Sequence, residues 1–349
     1  MSTKIGLVGY ASKSGIGYEN LRMWNNLPFD RWLAVPDFKD QTGGPLYPLL
    51  SSARQGLVQR GVSSHDGLAA FTDGLDAVVA VERTFPSDLF LRCPHARRIL
   101  LVNHEWTAFD LPWLDDADVL VARNLIGLST LQDLGLWKKA IYCSAPLDLK
   151  DLPFRRRERA ERFMYSDGRG GVHERKGWPE VCAVLHRDPA MVTVFSQRVH
   201  GLLSHEMFPP EGTDLRPEVA GPRNLYAEHD VAVQPSRFEG LGLSILEAMA
   251  SGLPVLTTDA HPMCEYVRAA YGEHAGSFLV RVDHTETARL RRDVTSHVVE
   301  TGDLQDKISD LVGRPIGKIS QLGRDYIERV HGQAAWKRLW AIITGEIKP

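Results

Sequence analysis

Cysteine is scarce in this chain. The 349 residues include four cysteines, Cys93, Cys143, Cys182 and Cys264, and no two of them form a CxxC pair. Isolated cysteines are typical of reduced thiols in the cytosol, and structural burial is the role that we predict for them. A chain of this length can bury a sizeable core without disulfide or metal cross-links.

Long apolar runs and a surplus of one charge are missing as well. The opening residues, MSTKIGLVGYASKSG, contain no apolar run of signal-peptide length, and no later segment is apolar over the length of a bilayer crossing. The net charge is −3, so no global basic field draws the chain to nucleic acid or to an anionic membrane. These absences predict a soluble cytoplasmic protein without stable membrane association.

Short apolar strands alternate with amphipathic helices along the chain. Nearly continuous runs of valine, isoleucine and leucine predict parallel strands that helices cover on both faces. A stretch with two prolines and a charge run, 146–162, interrupts the alternation, and we interpret it as a solvated connector. The candidate strands lie at 4–10, 31–36, 76–82, 98–103, 118–123, 162–167, 191–196, 230–235 and 254–259.

Two domains are the simplest architecture for this pattern, each with its own first strand and first strand-to-helix loop. We place the first domain at 1–150 and the second at 151–322, with closing helices at 323–349. Doubly wound sheets bind ligands beyond the carboxyl ends of their strands, so a ligand is expected between the two domains.

The stretch 235-PSRFEGLGLSILEAMASGLPVLTTD-259 contains two glutamates eight residues apart. Glu239 follows a predicted strand, and Glu247 lies in the helix that we predict after it. Gly240 and Gly242 precede that helix, where free N–H groups and partial positive charge attract a phosphate. The layout suits a nucleotide-sugar, with ribose, diphosphate and hexose in that order. Two glutamates at this spacing occur by chance in most proteins, so the pair alone would not indicate a function.

The longer run 225-LYAEHDVAVQPSRFEGLGLSILEAMASGLPVLTTD-259 resembles the signature of retaining glycosyltransferases of the GT-B fold, particularly family four. A strand ending in Pro-Ser, the E-x7-E pair, Glu-Ala-Met-Ala and Gly-x-Pro-Val follow in the family's order. The resemblance implies an α/β protein of two doubly wound, Rossmann-like domains that face a central cleft. It implies that Glu239 contacts the transferred sugar and Glu247 the donor ribose, and that Leu241 and Leu243 complete the donor loop with the glycines.

A second segment, 168-GRGGVHERKGW-178, resembles the family's diphosphate clamp. The resemblance assigns the clamp to Arg169 and Lys176, whose charges would stabilise the leaving diphosphate as negative charge builds on it. For Arg175 a solvated basic loop is the competing interpretation.

The loop after the first predicted strand, 12-SKSGIGYENL-21, resembles the family's N-terminal glycine-rich loop. Gly15 and Gly17 would let backbone amides approach the donor, although a plain strand-to-helix turn looks the same. Asn20 stands where a dinucleotide-binding GxGxxG motif has its last glycine, which argues against an NAD enzyme.

Three residues follow another predicted strand in 101-LVNHEW-106. His104 aligns with a family histidine beside the donor sugar, and the resemblance makes it a catalytic candidate. Glu105 and Trp106 are candidates for the acceptor side, with simple packing as an equal alternative.

The resemblance implies a retaining hexosyltransferase that uses an NDP-sugar, by family frequency UDP-glucose. No DxD metal motif is evident, so we predict neither a metal nor another cofactor. We favour front-face substitution, because the family pattern offers no well-placed nucleophile. A sugar phosphorylase, a nucleotide-sugar epimerase and a non-catalytic nucleotide-sugar-binding module stay open as alternatives.

The acceptor is less defined. The chain resembles compact phage and bacterial members of the family, which favours a 5-hydroxymethylpyrimidine in DNA. Arg97, Arg98, Arg123 and the run 155-RRRERAER-162 are candidates for phosphate contacts. Small molecules, glycans and proteins stay open as acceptors.

Overall fold

The computed structural model divides the chain into two compact units. The first comprises Met1–Leu147 and Gln333–Pro349, and the second comprises Asp148–Gly332. The described residues are 3–12, 14–35, 58–60, 65–110, 113–168, 174–196, 209–217, 225–290 and 292–349.

The strands of both units are short and mostly apolar. Those of the first unit are β1 (Ile5–Tyr10), β2 (Arg31–Val35), β3 (Val58–Arg60), β4 (Ala77–Val81), β5 (Arg97–Val102), β6 (Val119–Ala122) and β7 (Ala140–Tyr142). Those of the second unit are β8 (Phe163–Gly168), β9 (Val192–Ser196), β10 (Leu215–Pro217), β11 (Val231–Gln234), β12 (Val255–Thr258), β13 (Leu279–Val280), β14 (Val282–Arg289) and β15 (Asp293–Val299).

Each unit contains one parallel sheet with a doubly wound strand order. As far as the described residues extend, the orders are β3-β2-β1-β4-β5-β6-β7 and β10-β9-β8-β11-β12-β13. The chain therefore reverses its winding direction between β1 and β4 in the first sheet and between β8 and β11 in the second. Such switch points leave a crevice at the carboxyl ends of the two strands, where ligands bind.

Within the described residues, helices lie between most consecutive parallel strands. The first helix is capped by Ser14, whose side chain accepts a hydrogen bond from the Gly17 amide. The helices are α1 (Gly15–Asn26), α2 (His65–Thr72), α3 (Trp113–Asp116), α4 (Leu125–Asp133), α5 (Trp178–Leu185), α6 (Leu243–Ala250), α7 (Met263–Tyr271), α8 (Thr301–Leu311), α9 (Gly317–His331) and α10 (Gln333–Thr344).

Alternate residues of the first sheet enter two separate apolar layers. Leu7 belongs to the layer that also contains Trp24 of α1 and Leu339 of α10. The next residue, Val8, belongs to the opposite layer with Phe71 of α2. Burial on both faces explains why these strands are continuous apolar runs rather than alternating ones.

Every strand predicted from the sequence is present, with ends that differ by a residue or two. The sequence did not reveal β3, β7, β10 and β13, which are too short for a recognisable pattern. It also missed the antiparallel hairpin of β14 and β15, because the outer face of β14 is polar and exposed.

The predicted solvated connector is wrong at Arg157, which is 2% exposed. Its guanidinium donates hydrogen bonds to the carbonyls of His229 at 2.6 Å, Tyr226 at 2.7 Å and Arg155 at 2.7 Å. Burial, together with the nearby Arg155 charge, lowers the pKa of Arg157 to about 10. This arginine therefore holds the second unit together instead of facing solvent.

None of the described helices combines the length and the apolar character that a bilayer crossing requires.

Candidate functional site

The site of the second unit lies at the switch point between β8 and β11. The loop after β8 leads to α5, and the loop after β11 leads to α6. Each helix is preceded by a glycine in the left-handed region, Gly177 at φ 71° and Gly242 at φ 62°. A Cβ atom on Gly177 would lie 2.1 Å from the carbonyl oxygen of Pro235, so the two loops approach too closely for any other residue.

Glu239 is the centre of this site. Its carboxylate is 2% exposed and accepts hydrogen bonds from three side chains. Arg175 donates through a guanidinium nitrogen at 2.7 Å, Ser236 donates through its hydroxyl at 2.8 Å, and Lys176 donates from its ammonium group. Two cations thus fix a buried carboxylate in one orientation.

These contacts also set the charge of Glu239. Burial alone raises the pKa of a carboxyl group, because the charged form loses its hydration. The charges of Lys176 and Arg175, with hydrogen bonds from Lys176 and Ser236, outweigh burial and lower the pKa of Glu239 to about 2. The side chain is therefore an ionised hydrogen-bond acceptor and a weak base at neutral pH.

A second set of contacts leads from Lys176 towards Glu247. The ammonium group of Lys176 lies 3.3 Å from the Ser244 hydroxyl on α6. The hydroxyl of Tyr226 lies 3.3 Å from the Ser244 carbonyl oxygen and 3.4 Å from a carboxylate oxygen of Glu247. Glu247 is half-buried, one turn into α6 from Ser244. Glu239 lies in the loop before α6 and Glu247 lies within α6, and the contacts of Lys176, Ser244 and Tyr226 connect the two glutamates.

The predicted donor loop, Gly240 to Leu243, connects the two glutamates. Helix α6 begins at Leu243, directly after the two glycines that the sequence placed before it, and Ser251 is its C-terminal capping residue. The Leu241 carbonyl accepts a hydrogen bond from the Tyr266 hydroxyl at 2.9 Å, which holds the loop against α7.

Arg169, the predicted first half of the clamp, lies outside the described residues. The structure instead identifies Arg175 as a residue of the site, which sequence reasoning treated as a candidate for a solvated loop. Its guanidinium also lies over the Phe238 ring, 5.8 Å from the centroid. In the sequence, only its position next to Lys176 indicated that Arg175 could belong to the site. No local sequence pattern distinguishes an arginine in an ion pair from a solvated one.

The first unit presents its predicted residues at the carboxyl edge of its own sheet. Gly15 and Gly17 start α1 after β1, and a Cβ atom on Gly17 would lie 1.8 Å from the Ser12 carbonyl oxygen. His104 follows β5 and is buried, as is Glu105, whereas the neighbouring Trp106 is half-buried.

Of the arginines predicted to contact DNA phosphates, all except Arg123 begin or precede a strand. Arg97 and Arg98 begin β5, at the amino edge of the first sheet. Arg123 is buried and pairs with the equally buried Glu19. Arg162 directly precedes β8, so the arginine run lies at the amino edge of the second sheet, opposite Glu239. The burial of Arg123 and the amino-edge positions of the other arginines do not support the predicted contacts with DNA phosphates.

The described residues contain no cluster of histidine, cysteine, aspartate and glutamate side chains that could hold a metal ion.

Comparison with known proteins links this site to one family. Residues 208–296, which include Glu239 and α6, match the family model described as glycosyl transferases group 1. No curated protein matches the chain by sequence.

Solved structures share the fold at low sequence identity. HepE from Anabaena in complex with UDP-glucose has a TM-score of 0.69 and 15% identity, over 99% of this chain and 100% of that one. A glycosyltransferase from Rickettsia africae has a TM-score of 0.68 and 14% identity, over 99% of each chain. The GtfA/B complex has a TM-score of 0.56 and 15% identity, over 80% of this chain. The present chain spans 59% of that GtfA/B chain.

The predicted fold class is confirmed. The chain is an α/β protein with the GT-B fold, built from two doubly wound parallel sheets.

Proposed function

We propose that this protein is a retaining glycosyltransferase that moves a hexose from a nucleoside-diphosphate sugar to an acceptor hydroxyl. The observation that carries the proposal is the ionised, doubly paired Glu239 in the loop before α6, within the segment that matches group 1 glycosyltransferases. A carboxylate fixed in this way suits the hydroxyls of a sugar, which donate charge-assisted hydrogen bonds to it.

The other side chains suit the remaining parts of such a donor. The diphosphate would lie at the N-terminus of α6, where the backbone amides and Lys176 offer positive charge. The donor ribose would lie against Glu247, whose carboxylate Tyr226 helps to orient. Lys176 pairs with Glu239 in the described structure, so donor binding would place its ammonium group between a carboxylate and a phosphate.

The reaction that we propose needs no protein nucleophile. The bond between C1 of the hexose and the phosphate oxygen breaks while the acceptor oxygen bonds to C1 on the same face, and the acceptor proton passes to the departing phosphate. The low pKa of Glu239 makes it a poor proton carrier, so its role is to hold the sugar. Lys176 stabilises the charge that grows on the leaving group.

UDP-glucose is the donor that we propose. It is the expectation from family frequency, and HepE, a structure with the same fold, is a complex with UDP-glucose. A 5-hydroxymethylpyrimidine in DNA stays a prediction for the acceptor, without support from the predicted arginine contacts.

The proposal is tested with purified protein and UDP-glucose. We expect slow donor hydrolysis that releases α-glucose first, detected by proton NMR, because retention preserves the anomeric configuration. Glu239→Gln and Lys176→Ala should lower this rate about 100-fold, the typical effect of removing one group that stabilises the transition state. Glu273→Gln, at an exposed carboxylate of the same unit, is the matched control.

Three results would point elsewhere. Binding of UDP-glucose without turnover would indicate a non-catalytic binding module. Release of β-glucose would contradict retention. Loss of the rate in EDTA would contradict the prediction that no metal takes part.

A further inference from the structure

A pocket of arginine side chains, which we call the arginine pocket, lies at the amino edge of the second sheet, where β8 and β11 begin. Its volume is about 290 Å³, and its lining residues are Arg155, Arg156, Arg157, Glu158, Arg159, Glu161, Arg162 and Asp230. Five arginines and three carboxylates give it a formal charge of +2, whereas the whole chain has a net charge of −3. A local excess of positive charge on an acidic protein attracts anions to that place.

Hydrogen bonds fix the segment that carries these arginines. The Glu158 carbonyl accepts a hydrogen bond from the Ile316 amide at 2.9 Å. The amide of the buried Arg157 donates to the Ser320 hydroxyl at 3.0 Å. Side chains that project from a fixed backbone lose less conformational entropy on binding than those of a mobile loop. The segment therefore holds its charges in place before a ligand arrives.

Asp230 is the buried carboxylate of the arginine pocket. One of its oxygens accepts hydrogen bonds from the amides of Glu161 at 3.3 Å and Arg162 at 3.0 Å. The guanidinium groups of Arg155 and Arg162 lie 3.5 Å from its oxygens, which is longer than a typical hydrogen bond, and both arginines are more than half exposed. Because each guanidinium has five N–H donors, donors remain for another acceptor.

Among the described residues, Arg157 and Arg159 have no carboxylate in direct contact. The guanidinium of Arg157 donates to carbonyl groups, and that of Arg159 donates to the Gly313 carbonyl at 2.9 Å. Burial, and then the charge of Arg155, lowers the pKa of Arg157 to about 10, although Asp230 acts in the opposite direction. The cations of the pocket therefore repel one another, and a bound anion would relieve that repulsion.

We propose that the arginine pocket binds a dianionic phosphate group, as free phosphate or as the monoester of a small molecule. A phosphate monoester has a charge of about −1.5 to −2 at neutral pH, which matches the charge of the pocket, whereas a single carboxylate would offset half of it. Guanidinium groups also bind phosphate oxygens through two parallel hydrogen bonds.

The arginine pocket does not suit a long polyanion such as DNA. Its volume is near the lower end of the range for small-molecule sites. The exposed Glu158, which lies 3.3 Å from Arg156, and the exposed Glu161 would repel the further phosphates of a DNA strand. Glu239 follows β11 at the opposite edge of the sheet. The proposed ligand is therefore additional to the nucleotide-sugar, and the inference does not depend on the transferase function.

Calorimetry with inorganic phosphate, at low ionic strength and in saturating UDP, tests the proposal. The UDP occupies the proposed donor site, so we expect the phosphate to bind once per chain, in the arginine pocket. Arg155→Gln and Arg159→Gln should each weaken this binding about 10- to 100-fold, the size of one lost hydrogen bond to a charged group. Both side chains are exposed, so both variants should melt close to the wild-type temperature.

The matched control is Arg187→Gln, at an exposed arginine of the same unit outside the pocket, and it should bind phosphate as the wild type does. Absence of phosphate binding in the wild type overturns the proposal. So does phosphate binding that stays equally tight in Arg155→Gln and Arg159→Gln.

Two further probes identify what carries the phosphate group. Glycerol phosphate that binds more tightly than inorganic phosphate, and that the same substitutions weaken, assigns the pocket to a phosphate monoester. Equal or weaker binding of glycerol phosphate assigns it to free phosphate. A DNA duplex that these substitutions weaken, when neither small probe binds, overturns the proposal in favour of a polyanion.

Failure of the transferase proposal is recognised separately, as absence of UDP binding. In that case the titration with inorganic phosphate is run without UDP, and Arg155→Gln and Arg159→Gln decide the matter as before.

Discussion

Arg175 shows how much of the proposed donor site depends on the contacts of a single residue. Its guanidinium makes a 2.7 Å ion pair with Glu239, lies over Phe238 and donates to the Phe238 carbonyl at 3.4 Å. An arginine can make all of these contacts at once, because its planar guanidinium group has N–H donors along its edge and a flat face that stacks on a ring. We therefore infer that Arg175 positions Glu239, and that Lys176 is the cation left to serve the diphosphate.

Removing Arg175 should affect turnover more than donor binding. We expect Arg175→Ala to lower kcat for UDP-glucose hydrolysis about 10- to 100-fold. Without Arg175 the Glu239 carboxylate is held less firmly, so it is less well positioned against the sugar in the transition state. The Kd for UDP, which lacks the sugar, should stay within about threefold by calorimetry. Arg187→Ala, at an exposed arginine of the same unit, is the control. An unchanged kcat would refute the positioning role.

Replacing Glu247 should affect donor binding more than turnover. If its carboxylate accepts hydrogen bonds from the donor ribose, Glu247→Gln should weaken UDP binding by about 1.5–3 kcal/mol. Calorimetry with UDP measures this loss directly, and Tyr226→Phe should show a smaller one because its hydroxyl contacts the carboxylate at 3.4 Å. Wild-type affinity in Glu247→Gln would remove this residue from the site.

At the scale of elements, the hairpin of β14 and β15 supports the loop that presents Glu239. The buried Phe238 ring packs against Ala288 and Val294 of the hairpin. The His297 amide donates to the Arg237 carbonyl at 2.8 Å. The hairpin thus contacts the two residues that precede Glu239. We infer that it acts on the site indirectly, by holding this loop.

Shortening the hairpin tests that support. Val282 pairs with Val299, so residues 283–298 can be replaced by an Asn-Gly turn without stretching the chain. We expect kcat for UDP-glucose hydrolysis to fall about tenfold and UDP affinity to stay within about threefold, since the start of α6 is untouched. Thr295→Ala, on the exposed side of β15, is the control. Normal turnover in the shortened protein would assign the hairpin another role.

At the scale of the whole molecule, the chain leaves the first unit after Leu147 and returns to it after Gly332. Gly332 separates α9 from α10, and a Cβ atom at this position would lie 2.4 Å from the Glu328 carbonyl oxygen. Helix α10 then completes the core of the first sheet. Its Trp336 indole also donates to the Leu147 carbonyl at 3.0 Å.

The returning helix should carry much of the stability of the first unit. We expect Leu339→Ala to lower the free energy of unfolding by about 2–5 kcal/mol, the usual result of truncating a fully buried leucine. Lys337→Ala, at an exposed position of the same helix, should change it by about 0.5 kcal/mol or less. Urea unfolding measures both. UDP binding below the transition should persist in Leu339→Ala, because the proposed donor residues belong to the second unit.

The protein should also lose stability in mild acid through His229. Burial, with the charges of Arg216 and Arg162, lowers the pKa of His229 to about 4, from about 6.5 in an unfolded chain. The unfolded chain binds the proton first, so this stability is fully present above pH 6.5 and is lost as the pH falls towards 4.

His229→Phe removes this titration and keeps the ring contact with Phe195. Between pH 7.5 and pH 5 its urea midpoint should fall less than that of the wild type. His229→Gln, which is neutral and polar, should show the same flattening. Equal pH dependence in all three proteins would show that other groups dominate.

Local patterns in the sequence determined much of this protein. The strands buried on both faces were visible as apolar runs, because parallel sheets under helices impose that composition. The start of α6 and the spacing of Glu239 and Glu247 could be predicted because glycines and a helix are local features.

Only the tertiary structure decided the contacts between distant segments. Arg175 meets Glu239 across 64 positions because the strand order places β8 beside β11. In the same way, Arg157 is buried among the carbonyl groups of the distant residues Tyr226 and His229. A charged side chain has the same local sequence signal in solvent as in a buried pair. Whether the side chain is solvated or forms a buried pair depends on how far the assembled sheet removes it from water and on which partners lie beside it.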